Sequence, residues 1–244
     1  MSLLIFGATS AIAQAVARLA AARGDKIFLV GRDQGKLAIL AKDLETRSGQ
    51  AAGFAVVSFL EKSSVDAILE SASKFLGRID LVLIAHGLLP DQALCVENWT
   101  EAEANFQVNL LSPAMIAEAS AHLLAKQGRG TLLVIGSVAG DRGRKSNYYY
   151  GAAKGGLERV VQGLRARMHA FGVRVVLIKP GFVDTPMTAH LRKGLLFAQP
   201  ETVAKIILRR AQSGGETVYA PWFWYGIMTI IKFIPERIFK KLSI

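Results

Sequence analysis

The fold is decided by one stretch at the start of the chain, Ser2-Leu-Leu-Ile-Phe-Gly-Ala-Thr-Ser-Ala-Ile-Ala13. Residues 2–6 form a short apolar run of the kind found in buried strands. Gly7 permits a tight turn, and Thr9 or Ser10 can cap the helix that follows. The exposed N–H groups at the start of such a helix suit a pyrophosphate. This strand, turn and helix therefore predict a dinucleotide-binding unit.

Two positions in this loop depart from the usual glycine-rich pattern, because they hold Ala11 and Ala13. Alanine is small and favours helix formation, so the loop can still approach a phosphate closely. The positions expected to contact the dinucleotide are Gly7, Thr9, Ser10, Ala11 and Ile12.

Strand and helix patterns alternate to the end of the chain, which predicts an α/β fold with a doubly wound parallel sheet flanked by helices. Continuous apolar runs are typical of strands that are buried on both faces. The predicted strands are 2–6, 26–30, 53–57, 81–84, 131–135, 173–178 and 217–220. The predicted helices run to about residue 23 and over 35–47, 64–75, 101–126, 148–171 and 201–212. We expect one domain over 1–220 and a C-terminal tail over 221–244.

Three residues form a predicted proton-transfer site. Tyr150 and Lys154 are four residues apart, so both lie on one face of a helix. A phenol has a pKa of about 10, and a nearby ammonium is expected to lower that pKa towards neutrality. Ser137 follows the strand over 131–135, where ligands collect in parallel sheets. A chance Tyr-x-x-x-Lys match is the alternative, and Ser137 and the nucleotide loop argue against it.

The residues after the second strand bear on the choice of dinucleotide. Gly31 stands where an acidic side chain would bind the ribose hydroxyls of NAD, and Arg32 can pair with a 2′-phosphate. We therefore predict a preference for NADP(H), with NAD(H) as the alternative. A solvent-exposed arginine in a turn is the competing interpretation of Arg32, and the neighbouring Asp33 complicates the assignment.

The chain resembles the short-chain dehydrogenase/reductase family over nearly its whole length. The residues that carry this resemblance are Gly7 to Ala13, Asn109 in Val-Asn-Leu-Leu-Ser, Ser137, Tyr150, Lys154 and residues 180–186. Residues 86–92, residues 137–147 and the aromatic-basic C-terminus are further similar to the branch containing decaprenylphosphoryl-2-keto-pentose reductase. The resemblance implies a Rossmann-type fold and an enzyme that interconverts a ketone and a secondary alcohol. It also implies a homodimer or homotetramer, and the small residues over 151–156 would permit close packing of symmetry mates.

The resemblance implies roles for individual residues. Tyr150 would protonate the carbonyl oxygen, Ser137 would polarise it, and Lys154 would hold the nicotinamide ribose. Asn109 would hold a water that links Lys154 to solvent. Val183 would bond the nicotinamide carboxamide through its main chain. The implied cofactor contacts beyond the first loop are Arg32, Ser58, Ala85, Gly87, Tyr150, Lys154, Pro180, Val183 and Thr185.

Two strand ends differ from the family pattern. Ser58 replaces the aspartate that usually faces the adenine amine, so it would make a weaker contact there. The fourth strand ends in Ile-Ala-His-Gly over 84–87, where the family has two asparagines, alanine and glycine. We interpret His86 as a packing or loop-bridging residue, since the sequence offers no nucleophile or metal-spaced partner for it. No metal site is predicted.

Composition limits the partners and the compartment. The 244 residues carry a net charge of +11, and 51% are hydrophobic. The charge fits a dinucleotide phosphate or an anionic membrane face; no nucleic-acid-binding module is visible. The single cysteine, Cys95, fits packing in a reducing, cytoplasmic setting. The chain starts directly with a strand, so we expect no signal peptide, and no apolar run reaches the roughly 20 residues that span a bilayer.

Three further segments have two interpretations each. The basic loop over 141–145 could bind a phosphate on the substrate or form a solvated turn. Residues 187–198 could form a substrate lid or ordinary core. The tail over 222–234 is nearly all apolar or aromatic and is followed by Arg237, Lys240 and Lys241. It could contact the inner face of a membrane, or cover the pocket or a neighbouring subunit.

The substrate is left open as a lipid-linked keto-sugar, another lipid-like ketone or a small ketone. A nucleotide-binding sensor or scaffold without turnover is the alternative to an enzyme, although a binding module does not need this acid–base set.

Overall fold

A computed structural model of the chain describes residues 1–59 and 61–242. It contains a seven-stranded sheet in the order β3-β2-β1-β4-β5-β6-β7, and every neighbouring pair is parallel. The predicted doubly wound parallel sheet is confirmed. The strands are β1 Ser2–Phe6, β2 Lys26–Gly31, β3 Gly53–Val56, β4 Leu81–Ile84, β5 Gly130–Ile135, β6 Val173–Pro180 and β7 Thr217–Ala220.

Helices cover both faces of the sheet. They are α1 Ala11–Ala21, α2 Gln34–Ser48, α3 Lys62–Leu76, α4 Gln92–Glu97, α5 Trp99–Phe106, α6 Ser112–Gln127, α7 Tyr148–Met168, α8 Pro200–Ser213, α9 Phe223–Phe233 and α10 Glu236–Phe239. One core cluster joins the sheet to α1, α2 and α8, and the other joins it to α3, α6 and α7. Alternation along β1 explains this division, because Leu3 and Ile5 enter the first cluster and Leu4 and Phe6 enter the second.

The strand order reverses between β1 and β4, which pair with each other at the centre of the sheet. In open α/β sheets, ligands bind beyond the carboxyl ends of the strands at such a reversal. The loops after β1, β4 and β5 therefore define where a site can form. These loops contain Gly7, His86, Gly87 and Ser137.

The long helix predicted over 101–126 is wrong in detail, because the chain forms α5, a π-helical turn over Gln107–Leu111, and α6. A π-turn adds about one residue to one helical turn, and apolar periodicity on either side does not reveal it. The short helix α4 was not predicted. Its start is set by Asp91, whose carboxylate accepts hydrogen bonds from the N–H groups of Ala93 and Leu94.

The tail folds back onto its own chain beside the strand ends. Trp224 is buried against Gly181, and a Cβ on that glycine would lie 1.9 Å from the indole nitrogen. Met228 is also buried, and it packs with Trp224 and Val138. The last residues of the tail, Ser243 and Ile244, lie outside the described residues. The structure thus packs α9 on the core of its own chain. Contact of the tail with a membrane, with a neighbouring subunit or over the pocket stays a prediction.

One arginine holds the end of α9. The guanidinium of Arg142 donates to the carbonyl oxygens of Ile231 and Ile234, both at 2.6 Å, and to Glu236 at 2.9 Å. It also lies 3.7 Å from the ring centroid of Phe239. These contacts satisfy carbonyl groups that a helix end leaves without partners. No helix in the described ranges is long and apolar enough to cross a membrane.

Candidate active site

The three predicted proton-transfer residues meet at the carboxyl end of β5. Ser137 follows this strand and caps a short 3₁₀ turn over Val138–Asp141, because its hydroxyl accepts from the N–H of Ala139 at 3.1 Å. Tyr150 and Lys154 lie in the first two turns of α7. The Lys154 ammonium is 5.9 Å from the centroid of the Tyr150 ring and donates to the carbonyl of Ile135 at 3.3 Å.

Two glycines let α7 approach this turn. A Cβ on Gly151 would lie 2.8 Å from the Ala139 oxygen, and one on Gly155 would lie 3.0 Å from the Gly140 oxygen. Gly156 faces Leu110 in the same way. In this chain, Gly151 and Gly155 pack against the main chain of the turn, and Gly156 packs against the Leu110 side chain. Contacts of this segment between symmetry mates stay a prediction.

The pKa values of the pair differ from the expectation. Burial raises the pKa of Tyr150, and the hydrogen bond with the Ser137 hydroxyl only partly opposes this. Burial also lowers the pKa of Lys154 to about 8. Desolvation disfavours both the phenolate of Tyr150 and the ammonium of Lys154. Its effect on the two pKa values is larger than that of the attraction between these charges, which the spacing predicts. Because its pKa is raised, Tyr150 retains its proton at neutral pH.

Asn109 lies in the π-helical turn and is fully buried. Its amide nitrogen donates to the carbonyl of Leu88 at 2.9 Å and to the side chain of Asn105 at 2.8 Å, while its oxygen accepts from the Leu88 N–H at 3.2 Å. A Cβ on Gly87 would lie 2.8 Å from this oxygen and 3.4 Å from the Lys154 nitrogen. Because Gly87 has no side chain, the Asn109 oxygen and the Lys154 nitrogen can both lie close to it.

Asn105 is a residue that the sequence analysis missed. It is fully buried, accepts from Asn109, and donates to the main-chain carbonyl of Tyr149 at 2.9 Å. It therefore links the π-turn to the start of α7, next to Tyr150. The spacing of Asn105 and Asn109, four apart on a predicted helix, was the one available signal.

The nucleotide loop has the geometry that its sequence predicts. Gly7 has a φ of +75°, a value that favours glycine, and its missing Cβ leaves room for the main chain of His86. Ser10 caps α1 by accepting from the N–H of Ala13 at 3.3 Å. The first-turn N–H groups of α1, which include those of Ala11 and Ile12, have no carbonyl partner within the helix. Thr9 is half-buried beside them.

Arg32 and Asp33 have different environments. Asp33 caps α2, since its carboxylate accepts from the N–H of Lys36 at 3.0 Å and lies 3.5 Å from the Lys36 ammonium. That hydrogen bond is the main cause of its lowered pKa. Arg32 is exposed at the end of β2, and its charge contributes to the lowered pKa of His86. Asp33 is therefore held by the start of α2, and Arg32 is exposed just beyond β2.

The other predicted cofactor positions lie at neighbouring strand ends. Ser58 is exposed just beyond β3, and Ala85 is half-buried after β4. Pro180 ends β6, and Val183 is buried beyond it. The Val183 carbonyl accepts from the Thr188 hydroxyl at 2.5 Å, and Thr188 also lies 3.4 Å from the hydroxyl of Thr185. These contacts fix the segment after β6 beside Trp224.

His86 bridges two loops, as the sequence analysis expected. Its Nε2 lies 3.0 Å from the Ser112 hydroxyl, which donates its own proton to the carbonyl of Phe59 at 2.7 Å. Nε2 therefore carries the imidazole proton, and the Phe59 ring stacks on His86 at 4.7 Å. Burial, with the nearby charges of Lys154 and Arg32, lowers the pKa of His86 to about 3. His86 is neutral at physiological pH.

A buried ion cluster behind the site was also missed. The Lys179 ammonium pairs with Asp141 and, at 2.6 Å, with Glu158. The hydroxyl of Tyr219 donates to Asp141 at 2.8 Å, and burial together with Asp141 raises the pKa of Tyr219. The cluster joins the turn after Ser137, α7 and the end of β6. No group of three or more metal-ligating side chains occurs within the described ranges.

The comparisons with known proteins agree with this arrangement. Residues 2–195 match the sequence model of the family described as short chain dehydrogenase. An oxidoreductase of Streptomyces coelicolor is 33% identical over 244 residues, which cover 100% of this chain and 96% of the relative. A short chain dehydrogenase of Shigella flexneri, complexed with NADP, has a TM-score of 0.82 at 25% identity and covers 90% of this chain and 96% of that one. The actinorhodin polyketide ketoreductase with NADPH has a TM-score of 0.80 at 19% identity, over 91% and 96% of the two chains.

The chain therefore belongs to the short-chain dehydrogenase family. It is an oxidoreductase of that family, and the prediction of an enzyme is confirmed.

The neutral His86 predicts a measurable pH dependence of stability. Its folded pKa of about 3 lies below the unfolded value of about 6.5, so the unfolded state binds the proton more readily between these values. Stability is then lost as the pH falls below about 6.5. We expect His86→Gln to reduce the loss between pH 7 and 5 by roughly 1–2 kcal/mol, because glutamine does not titrate.

Urea unfolding at both pH values would measure this difference. The exposed His122 on α6 supplies the control, and His122→Gln should follow the wild type. An identical pH response in His86→Gln and the wild type would contradict the neutral, buried state of His86.

Proposed function

We propose that this protein is an NADP(H)-dependent oxidoreductase that interconverts a ketone and a secondary alcohol. The observation that supports the proposal best is the convergence of Ser137, Tyr150 and Lys154 at the end of β5, where the central strand order reverses nearby. Such a set supplies a proton donor, a group that orients it and a nearby cation. The ketoreductase similarity in fold is consistent with this chemistry.

The residues fit a bound dinucleotide. The N–H groups at the start of α1 suit a pyrophosphate, and Gly7, with its positive φ, forms the turn that leads into that helix. When bound, NADPH supplies the hydride. Lys154 would hold the nicotinamide ribose with its ammonium, and the main chain of Val183 would orient the carboxamide. Ser58, Ala85, Pro180 and Thr185 would line the remainder of the cofactor site.

Residues of this chain would donate the proton and stabilise the charge that its transfer leaves behind. Ser137 would donate a hydrogen bond to the substrate carbonyl oxygen, which polarises the carbonyl. Tyr150, which burial keeps protonated, would then give its proton to that oxygen as the alkoxide develops. Lys154, with a pKa of about 8, would stabilise the resulting phenolate. Asn109 would complete the path to solvent, because its side-chain oxygen keeps one lone pair free for a water.

Removing the phenol hydroxyl tests the mechanism. Tyr150→Phe should lower kcat on a verified ketone substrate by about three orders of magnitude, because phenylalanine has no proton to give to the developing alkoxide. Cofactor affinity, measured by fluorescence titration, should stay close to the wild type. The exposed neighbour Tyr148 provides the control, and Tyr148→Phe should keep its activity. Turnover by Tyr150→Phe near the wild-type rate would refute the proposed role.

A preference for NADP(H) is the second part of the proposal. It is supported by the exposed Arg32 at the end of β2, by the absence of a side chain at Gly31, and by the commitment of Asp33 to α2. The NADP complex of the similar Shigella flexneri protein is consistent with it. An arginine at this point can form charge-assisted hydrogen bonds with a 2′-phosphate.

The test compares the two cofactors. Arg32→Ala should raise the Kd for NADPH by roughly 10- to 100-fold and leave the Kd for NADH nearly unchanged, because only NADPH carries the phosphate. Lys42→Ala, which removes an exposed charge from the following helix α2, should change neither. Equal affinities for both cofactors in the wild type and in Arg32→Ala would contradict the proposed preference for NADP(H).

We further propose that the tail brings the site to the cytoplasmic face of an anionic membrane, where a lipid-like or lipid-linked substrate would be available. Trp222 and Phe233 are each 81% exposed, and Ile230 is 69% exposed, on the outer side of a tail whose other side packs on the core. Lys240 and Lys241 follow them. Exposed aromatic and basic residues on one short helical segment suit a lipid headgroup region.

Vesicle sedimentation tests this proposal without disturbing the packed side of α9. The wild type should sediment with vesicles that contain phosphatidylglycerol, and the double variant Trp222→Ser/Phe233→Ser should stay mainly in the supernatant. Phe171→Ser, which removes an exposed aromatic side chain outside the tail, should behave like the wild type. Equal sedimentation of all three proteins would contradict a role for the tail.

Self-association is the remaining part of the proposal. We propose a homodimer or homotetramer that uses the face formed by α4, α5 and the π-turn. This face exposes several large apolar side chains, which are Leu94, Val96, Trp99 and Leu111. Exposed apolar side chains grouped on adjacent elements are typical of surfaces that other proteins cover.

A further inference from the structure

One cationic side chain near Ser137 and Tyr150 has no anionic partner in the described part of the chain. Arg144 lies in the loop between the 3₁₀ turn and α7 and is half-buried. Its Nη2 donates to the sulfur of Met228 at 3.3 Å, and its buried Nε has no partner among the described residues. A guanidinium has five N–H donors, so most of its hydrogen-bonding capacity is unused.

The neighbouring charges do not neutralise Arg144. Asp141 is close enough to raise its pKa against the larger lowering effect of burial, but the carboxylate of Asp141 is held by Lys179 and Tyr219. Arg142 is paired with Glu236 and the end of α9, while Lys145 is exposed. The three basic residues of this loop thus differ. Arg142 holds the tail, Lys145 faces solvent, and Arg144 is a partly desolvated charge without a counterion.

Two other buried polar side-chain atoms near the start of α7 also lack partners among residues 1–59 and 61–242. They are Oδ1 of Asn147 and Nε2 of Gln92. The N–H of Asn147 donates to the Arg144 carbonyl at 3.1 Å, so both belong to one turn. Gln92 accepts from the N–H of Tyr149 at 3.2 Å, which places it next to Tyr150. Buried polar groups are normally hydrogen-bonded, and exceptions concentrate where a ligand binds.

The positions of Arg144, Asn147 and Gln92 connect these residues to the candidate active site. Met228, which receives the Arg144 hydrogen bond, packs with Val138, the residue after Ser137. Asn147 is three residues before Tyr150, and its carbonyl accepts from the N–H of Gly151 at 2.9 Å. Arg144 and Asn147 therefore lie on the segment between Ser137 and Tyr150, and Gln92 lies at the start of α4 beside the first turn of α7.

We propose that Arg144 binds an anionic group, a phosphate or a carboxylate, on the substrate, and that Asn147 and Gln92 contact its hydroxyl groups. The substrate is then an acidic, hydroxylated ketone or alcohol rather than a neutral hydrocarbon ketone. This inference rests on the proposed function, because it assigns the substrate side of the same site. A guanidinium is well suited to the role, since its planar fork can bond two oxygens of one anion.

The test uses inorganic phosphate as the probe. Wild-type protein saturated with NADP⁺ is titrated with phosphate at constant ionic strength in a calorimeter, and acetate is titrated in parallel. Arg144→Met should weaken phosphate binding at least tenfold, and Arg144→Lys should weaken it less. Lys145→Met removes a charge from the same loop and should bind as the wild type does. The tighter of the two anions identifies the acidic group as a phosphate or a carboxylate.

A structural role for Arg144 predicts a different outcome. Removing a partly buried, unpaired charge should leave the Tm of Arg144→Met at or above that of the wild type, whereas loss of a structural contact would lower it. Absence of anion binding by the wild type, or equal binding by Arg144→Met, would overturn the proposal.

An activity measurement separates this inference from the proposed function. Dihydroxyacetone and dihydroxyacetone phosphate differ only in the anionic group, and NADPH oxidation follows their reduction. Arg144→Met should lower kcat/KM for the phosphate at least tenfold more than for the parent ketone. Equal losses for the two ketones would count against Arg144 as the anion ligand. If neither is reduced while anion binding still depends on Arg144, the oxidoreductase proposal fails for these ketones and the anion site stands.

Discussion

The contact between α7 and the turn after β5 is the constraint on which the rest of the site depends. Gly151 and Gly155 lie against the carbonyl groups of Ala139 and Gly140, so that the helix and the turn touch through their main chains. Because the contact has no side chains to adjust, it fixes the distance between Ser137 on one segment and Tyr150 on the other. A side chain at either glycine would push these segments apart, since backbone cannot move aside cheaply in a packed interior.

The buried ion cluster around Lys179 holds together the same segments that meet in this contact. Lys179 holds Asp141 at the end of the turn and Glu158 one helical turn beyond Lys154, so a single ammonium joins three segments of the site. A buried ion pair contributes little net stability after the cost of desolvation, but breaking one is costly. The cluster is therefore better understood as fixing one arrangement of β6, α7 and the turn. Asn105 has a similar effect on the other side, where it joins the π-turn to Tyr149.

The sequence predicted the sheet, the helices around it and the proximity of Ser137, Tyr150 and Lys154, because these depend on local periodicity, on the strand end and on a fixed spacing along a helix. It did not predict Lys179, the role of Arg142 or the π-turn. Arg142 meets Glu236 across 94 residues, and such a contact has no local signal. The direction of the Tyr150 pKa shift was also missed, since it depends on burial, and burial depends on segments far away in the chain.

Arg142 has a consequence for anyone who edits the C-terminus of this protein. The arginine belongs to the turn that begins at Ser137, and its hydrogen bonds end on main-chain oxygens of Ile231 and Ile234. Cutting the chain before α9 would leave that guanidinium without its acceptors and would expose Val138 and Gly181 to water. A shortened chain would therefore differ from the intact protein at the turn after Ser137 as well as at its end. A C-terminal affinity tag is best placed after residue 244, so that α9 and α10 stay intact.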